Sequence, residues 1–162
     1  CKNIKSISLP DSTKDTADGM FTGCEMLTSV KLPRKLKAIK AYDFADCRKL
    51  TKLNIPVTVK VVYMSAFAGS GLKKIVLPSN VQKIRNGNDG QKVFEYIKGI
   101  GYPTKNLRVI EIHSKKVKSI QKNSFSGLSS KVVIKVPKSK KKKYTKMLRK
   151  SGLSKKVKIC NL

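Results

Sequence analysis

A ten-residue segment that ends in proline and returns every 23 residues limits this chain to very few folds. Cys24-Glu-Met-Leu-Thr-Ser-Val-Lys-Leu-Pro33 lies over Cys47-Arg-Lys-Leu-Thr-Lys-Leu-Asn-Ile-Pro56 position by position, and Cys1-Lys-Asn-Ile-Lys-Ser-Ile-Ser-Leu-Pro10 falls in the same frame. Leu72-Lys-Lys-Ile-Val-Leu-Pro78 continues the series one residue short. Leu107-Arg-Val-Ile-Glu-Ile112 and Val133-Ile-Lys-Val-Pro137 are later copies, which makes six units. A fixed period of this length is the mark of coils that stack, because one coil cannot bury its own apolar side chains.

The pattern inside a unit says how each coil is built. The residue three before the proline slot is apolar in every copy (Ile7, Val30, Leu53, Ile75, Ile110, Ile134), and so is the residue one before it (Leu9, Leu32, Ile55, Leu77, Ile112, Val136). Alternating apolar positions, many of them β-branched, describe a short strand with one buried face. Proline then ends the pairing because it has no N–H to donate. A second apolar arm follows three and six residues later, at Leu36 and Ile39, Val59 and Val62, Val81 and Ile84, and, shifted by one, Val117 and Ile120. Phe21, Phe44, Phe67 and Phe125 close the turn. Stacked strands about 4.8 Å apart would form a continuous parallel sheet with a ladder of like residues inside.

The motif Phe-x-x-Cys-x-x-Leu-x-x-Val-x-Leu-Pro-x-x-Leu-x-x-Ile, read from Phe21 to Ile39 and again from Phe44 to Val62, resembles the BspA-like family of leucine-rich-repeat proteins. The resemblance implies a right-handed solenoid of about six coils, each of about 23 residues, with few helices. It also implies a secreted or cell-surface protein, mainly bacterial, that adheres to host matrix or neighbouring cells. The family motif defines no ligand-binding residues, so none is carried onto this chain.

Two regions depart from the repeat. Between Arg85 and Asn106 about a dozen extra residues are inserted, with a short helix expected over Gln91 to Lys98 and turns at Asn86 to Gly90 and Gly99 to Pro103. At the other end, the positions three and six past Pro137 hold Lys140 and Lys143 where apolar residues belong. Helical spacing takes over from Ser139 to Ser151, with Ser139 as N-cap, Tyr144, Met147 and Leu148 on one side and Gly152 as a stop. The reading is a solenoid over 1–137 with an insertion at about 85–106, then a cap over 138–162 made of a basic helix and a short strand at Val157 to Ile159 that covers the open end.

Charge is the other strong signal. The chain carries 37 Lys plus Arg against 9 Asp plus Glu, net +28, and the stretch from Ile112 onward holds 17 basic residues and no acidic one. Such a field attracts nucleic acid, anionic glycans, wall polymers and acidic lipid surfaces without choosing among them. The sharpest cluster is Lys140, Lys141, Lys142 and Lys143, extended by Arg149 and Lys150. It is the candidate polyanion contact, although four adjacent lysines cannot share one helical face. Nucleic acid is the weaker partner, because the phenylalanines that would stack on bases belong to the core.

Chemistry is thin. Cys1, Cys24 and Cys47 occupy equivalent slots whose parallel Cβ vectors suit buried free thiols better than a disulfide. The frame match explains Cys1 without lipidation, and Cys160 stands apart. His113 takes a proline slot at a strand end, where a surface role outweighs catalysis, and Asp15, Asp18, Asp43 and Asp46 lie near coil corners without forming an acid–base set. No metal, cofactor or catalytic constellation emerges, and no small-molecule substrate is expected. No run approaches the ~18–20 apolar residues that cross a bilayer. The chain opens in mid-coil without a leader, so it reads as the C-terminal part of a longer protein whose signal peptide lies upstream. The expected function is a non-catalytic surface adhesion module for host-matrix or neighbouring-cell proteins or anionic glycans. The alternative is a polyanion- or nucleic-acid-binding protein acting through the basic C-terminal third.

Overall fold

The strand pattern sorts its apolar residues inward, and the computed structural model, which describes residues 3–87 and 105–162, shows that sorting in register. The first unit contributes β1 (Ser6–Ser8) and the second β2 (Ser29–Lys31), paired in parallel with Ile7 opposite Val30. The fourth, fifth and sixth contribute β5 (Lys74–Leu77), β7 (Val109–Ile112) and β9 (Val133–Val136), with Ile75, Ile110 and Ile134 aligned across the ladder. A last strand, β10 (Lys158–Asn161), adds to β9 and places Ile159 opposite Ile134.

The second arm of each coil forms a sheet of its own. β3 (Ala38–Ile39), β4 (Val61–Tyr63), β6 (Lys83–Arg85) and β8 (Ser119–Ile120) run parallel in that order, aligning Ile39, Val62, Ile84 and Ile120. The single sheet expected from the period is therefore two: a front sheet from the strands before each proline and a back sheet from the arms after it. Between them lies one apolar core in which Leu36, Ile39, Val59, Val62, Val81, Ile84, Ile110, Ile112, Ile134 and Val136 are fully buried.

At the corners the phenylalanines form a column. The Phe21 and Phe44 rings stack at 5.5 Å and 16°, and those of Phe44 and Phe67 at 6.5 Å and 6°. Phe125 is buried at its own corner. Two residues after each ring the backbone turns left-handed, at Gly23, Asp46, Gly69 and Gly127. Asp46 takes a conformation that glycine adopts at no steric cost and that Asp tolerates better than most side chains. Cys24 and Cys47 are buried free thiols, as their slots suggest. Cys47 donates to the Phe21 carbonyl, and burial, with the Cys24 thiol beside it, pushes its pKa up to about 12. Cys1 lies outside the described residues, as does most of the insertion with its expected helix.

The helix of the sixth unit is α1 (Lys141–Lys150), packed against β8 and β10. It starts later than the sequence suggests. Lys140, not Ser139, is the N-cap residue, and no side chain caps it. Pro137 leads instead into a 3-10 turn over Lys138–Lys140, closed by the Lys140 amide donating to the Pro137 carbonyl at 2.8 Å. The C-terminal end matches expectation: Gly152 is left-handed at φ 92°, its amide donates to Arg149, and the Leu153 amide donates to Leu148. This paired closure satisfies carbonyls that the helix leaves free. Tyr144 anchors the inner face, its hydroxyl donating to the Ser114 carbonyl and accepting from the Val117 amide, both at 3.0 Å.

One expected strand is missing. The third unit, Thr51 to Pro56, forms no ladder with β2 or β5, so the front sheet splits into a pair and a group of four. Two features of the sequence account for the break. Leu53 and Asn54 stand where the flanking units have Val30-Lys31 and Ile75-Val76, and Asn disfavours strands. The next coil is also a residue short, which draws Gly71 so close to the Arg48 carbonyl that any side chain there would collide with it.

Candidate functional site

Because Ile75, Ile110 and Ile134 point inward, their strand neighbours are carried on the outer face of the front sheet. Val76, Glu111, Lys135 and Cys160 form one row across β5, β7, β9 and β10, and Lys74, Val109, Val133 and Lys158 form the next. Glu111 is the centre of this face. Its carboxylate meets Lys74 Nζ at 2.9 Å, His113 Nε2 at 3.0 Å and Lys135 Nζ at 3.6 Å, and its side chain is only 11% exposed while those three are 40–50% exposed. Burial pushes the Glu111 carboxyl up. The His113 and Lys74 hydrogen bonds and the charges of Lys74 and Lys135 outweigh that effect and hold its pKa down at about 2. An acidic side chain thus gathers two lysine ammonium groups and an imidazole at one point on the outer face. The repeat pattern gives Glu111 no role; its isolation as the last acidic residue before a wholly basic stretch is the available signal.

Beside this face, at the break in the front sheet, a groove of about 330 Å³ is lined by Thr51, Lys52, Leu53, Asn54, Lys73, Lys74 and Val76. A shallower depression of about 620 Å³ lies where the strands end, between His113, Lys115, Lys138 and Leu162. His113 is half-exposed, and its hydrogen bond goes to Glu111.

The basic cluster singled out from the sequence is divided by the helix. Lys140 ends the preceding turn, and Lys141, the first helical residue, is half-buried. Lys142, Lys143, Lys146 and Lys150 are exposed and fall within an arc of about 100° opposite Tyr144 and Leu148. Lys146 belongs to this patch although the run of four lysines did not reveal it. Arg149 points back, its guanidinium donating to the Ser154 and Val157 carbonyls. It holds the turn into β10 rather than facing solvent freely.

The corner carboxylates go separate ways. Asp43 is buried, accepting from the Lys40 amide at 2.8 Å and the Thr16 hydroxyl at 3.1 Å. Burial pushes its pKa up to about 6 despite those donors. Asp15 pairs with Lys40 at the surface. Among the described residues no group of three or more His, Cys, Asp or Glu side chains is placed to hold a metal ion, and no helix is long and apolar enough to cross a membrane.

Comparison with known proteins agrees with this geometry. Six copies of a family model described as the BspA type leucine rich repeat region match residues 1–101 and 95–161. Among solved structures, the pneumococcal vaccine antigen PcpA is similar over 99% of this chain and 42% of its own, at 24% identity and a TM-score of 0.63. A leucine-rich-repeat protein of T. pallidum is similar over 93% of this chain and 74% of its own, at 22% identity and a TM-score of 0.67. One from Bacteroides ovatus covers 99% of this chain and 52% of its own, at 14% identity and a TM-score of 0.50. The chain thus spans less than half the length of PcpA and about half that of the Bacteroides protein. No curated protein sequence matches it.

Proposed function

We propose, from the premise that this chain belongs to the BspA-type leucine-rich-repeat family, that it is a non-catalytic adhesion module of a secreted or surface-held protein. Leucine-rich-repeat proteins of this kind are repeat-based binding scaffolds. The outer face of β5, β7, β9 and β10 is the contact surface in this reading, and the partners are host-matrix or neighbouring-cell proteins or anionic glycans. One observation carries the choice of surface. Glu111 fixes Lys74, Lys135 and His113 around the half-buried Val76, Val109 and Val133, so charged and apolar groups are presented on backbone that is paired on both sides along β7 and β9. Long side chains held before binding lose less entropy when a partner arrives.

A matrix-protein and glycan array at near-physiological salt tests this. Ligands are expected to be lost on Val133→Lys and weakened on Glu111→Gln. Array binding that ignores both substitutions removes the front face from consideration.

The second reading rests on the exposed arc of Lys142, Lys143, Lys146 and Lys150, which would hold a polyanion by charge alone. Its signature is affinity that vanishes within a few hundred millimolar salt with no preference among heparin, nucleic acid and polyphosphate. The division of the chain into a solenoid over 1–137 and a cap over 138–162 is part of this proposal. In it α1 stands where the sixth coil's second arm would be and covers β8.

A further inference from the structure

The break in the front sheet is more than a missing strand. Among the described residues, no amide of 51–55 donates a backbone hydrogen bond, and the only carbonyl of that segment to accept one is Thr51, from Lys73 at 3.5 Å. Among the described residues β2 pairs only with β1, and β5 only with β7. Two strand edges and the segment between them therefore keep donors and acceptors without backbone partners among the described residues, at a place in the sheet where such groups are otherwise paired. The groove at this point has a volume of about 330 Å³, within the lower range of ligand sites, roughly 300–1,000 Å³. Leu53 and Val76 give it an apolar wall, and Lys52, Lys73 and Lys74 give it charge. Lys74 is held by Glu111, whereas among the described residues no carboxylate pairs with Lys52 or Lys73.

We propose that this groove takes an extended acidic peptide segment of a partner protein. The peptide backbone pairs with residues 51–55 and its carboxylates meet Lys52 and Lys73. A row of unpaired backbone groups selects a second polypeptide, since main-chain pairing along a sheet edge is a recurrent mode of peptide capture. A sulfated polysaccharide would use the ammonium groups and leave the amides open. The proposal rests on the reading that the front sheet is the contact surface and names the partner chemistry at its border.

The test uses the full chain and a short end-capped peptide of alternating glutamate and valine, followed by hydrogen exchange of the 51–55 amides at near-physiological salt. Binding with protection of those amides is expected. Lys52→Glu combined with Lys73→Glu should weaken it by at least about tenfold. Asn54→Val, which changes no charge and favours strand pairing, should weaken it as well. Unprotected amides, or unchanged affinity in both variants, overturn the proposal, as does heparin outcompeting the peptide at equal charge concentration. If matrix ligands are lost on Val133→Lys but persist in the double lysine variant, the groove is refuted while the front-face reading stands. If peptide binding holds and Val133→Lys leaves the matrix ligands untouched, the wider reading fails and the groove survives.

Discussion

The third coil is paired in its second half and unpaired in its first. At the back, β4 lies between β3 and β6, and Val59 and Val62 are fully buried. At the front, a few residues earlier, the same coil lets Leu53 and Ile55 sit half-buried without a strand partner among the described residues. The chain thus tolerates loss of a ladder on one side because the other side and the phenylalanine column keep neighbouring coils in register. At the third coil, cohesion comes from the core and the back sheet rather than from a front-strand ladder.

The largest expected effect tests that statement directly. Phe44→Ala removes the middle ring of the column and should cost about 3–5 kcal/mol in denaturant unfolding; a cost near that of a surface substitution would show that the column is not what joins the coils. Next comes a matched pair across the two sheets. Ile84→Ala, in a back strand flanked on both sides, should cost about 2–5 kcal/mol, and Leu53→Ala, in the broken front segment, clearly less. Equal costs would erase the distinction between front and back.

The two perturbed carboxylates separate the same regions by pH. Asp43, beside the back arm, has its pKa raised from 3.8 to about 6, so its contribution to stability is full at low pH and fades as pH rises through about 6. Asp43→Asn should therefore match or exceed the parent protein above that pH, by about 1–3 kcal/mol. Glu111, on the front face, has its pKa lowered from 4.5 to about 2, so its contribution is present above about 4.5 and fades as pH falls through about 2. Glu111→Gln should flatten the acid limb of the stability curve by under about 1 kcal/mol, because its lysine partners are half-exposed. Thermal melts across the pH range read both. The smallest effect is Asn54→Val, expected to gain under about 1 kcal/mol by favouring the third front strand; destabilisation would mean that the break is held open by something other than strand propensity.

Much of this architecture was legible in the sequence. Ile39, Val62, Ile84 and Ile120 align in the coordinates as their spacing from the prolines requires, including the one-residue shift at Ile120. Periodicity carries such information because stacked coils repeat the same inward direction. What it does not carry is pairing strength in a single copy: Leu53 and Ile55 fit the pattern, yet a neighbouring Asn and a deletion one coil later undo the ladder. The helix was legible from Tyr144, Met147 and Leu148, but its start was not, since Pro137 imposes a tight turn before α-helical bonding begins. The Glu111 cluster was hidden for a different reason: Lys74, Glu111 and Lys135 are far apart in sequence and meet only once three coils are laid in register.

Gly71 sets a rule for anyone rebuilding this protein. Its backbone is wedged against the Arg48 carbonyl with no room for a side chain, so the junction between the third and fourth coils has its own pitch. A consensus coil spliced in at that seam would bring the standard 23-residue length and push the two halves apart. One added beside the phenylalanines of the first two coils would meet a seam already cut to its measure.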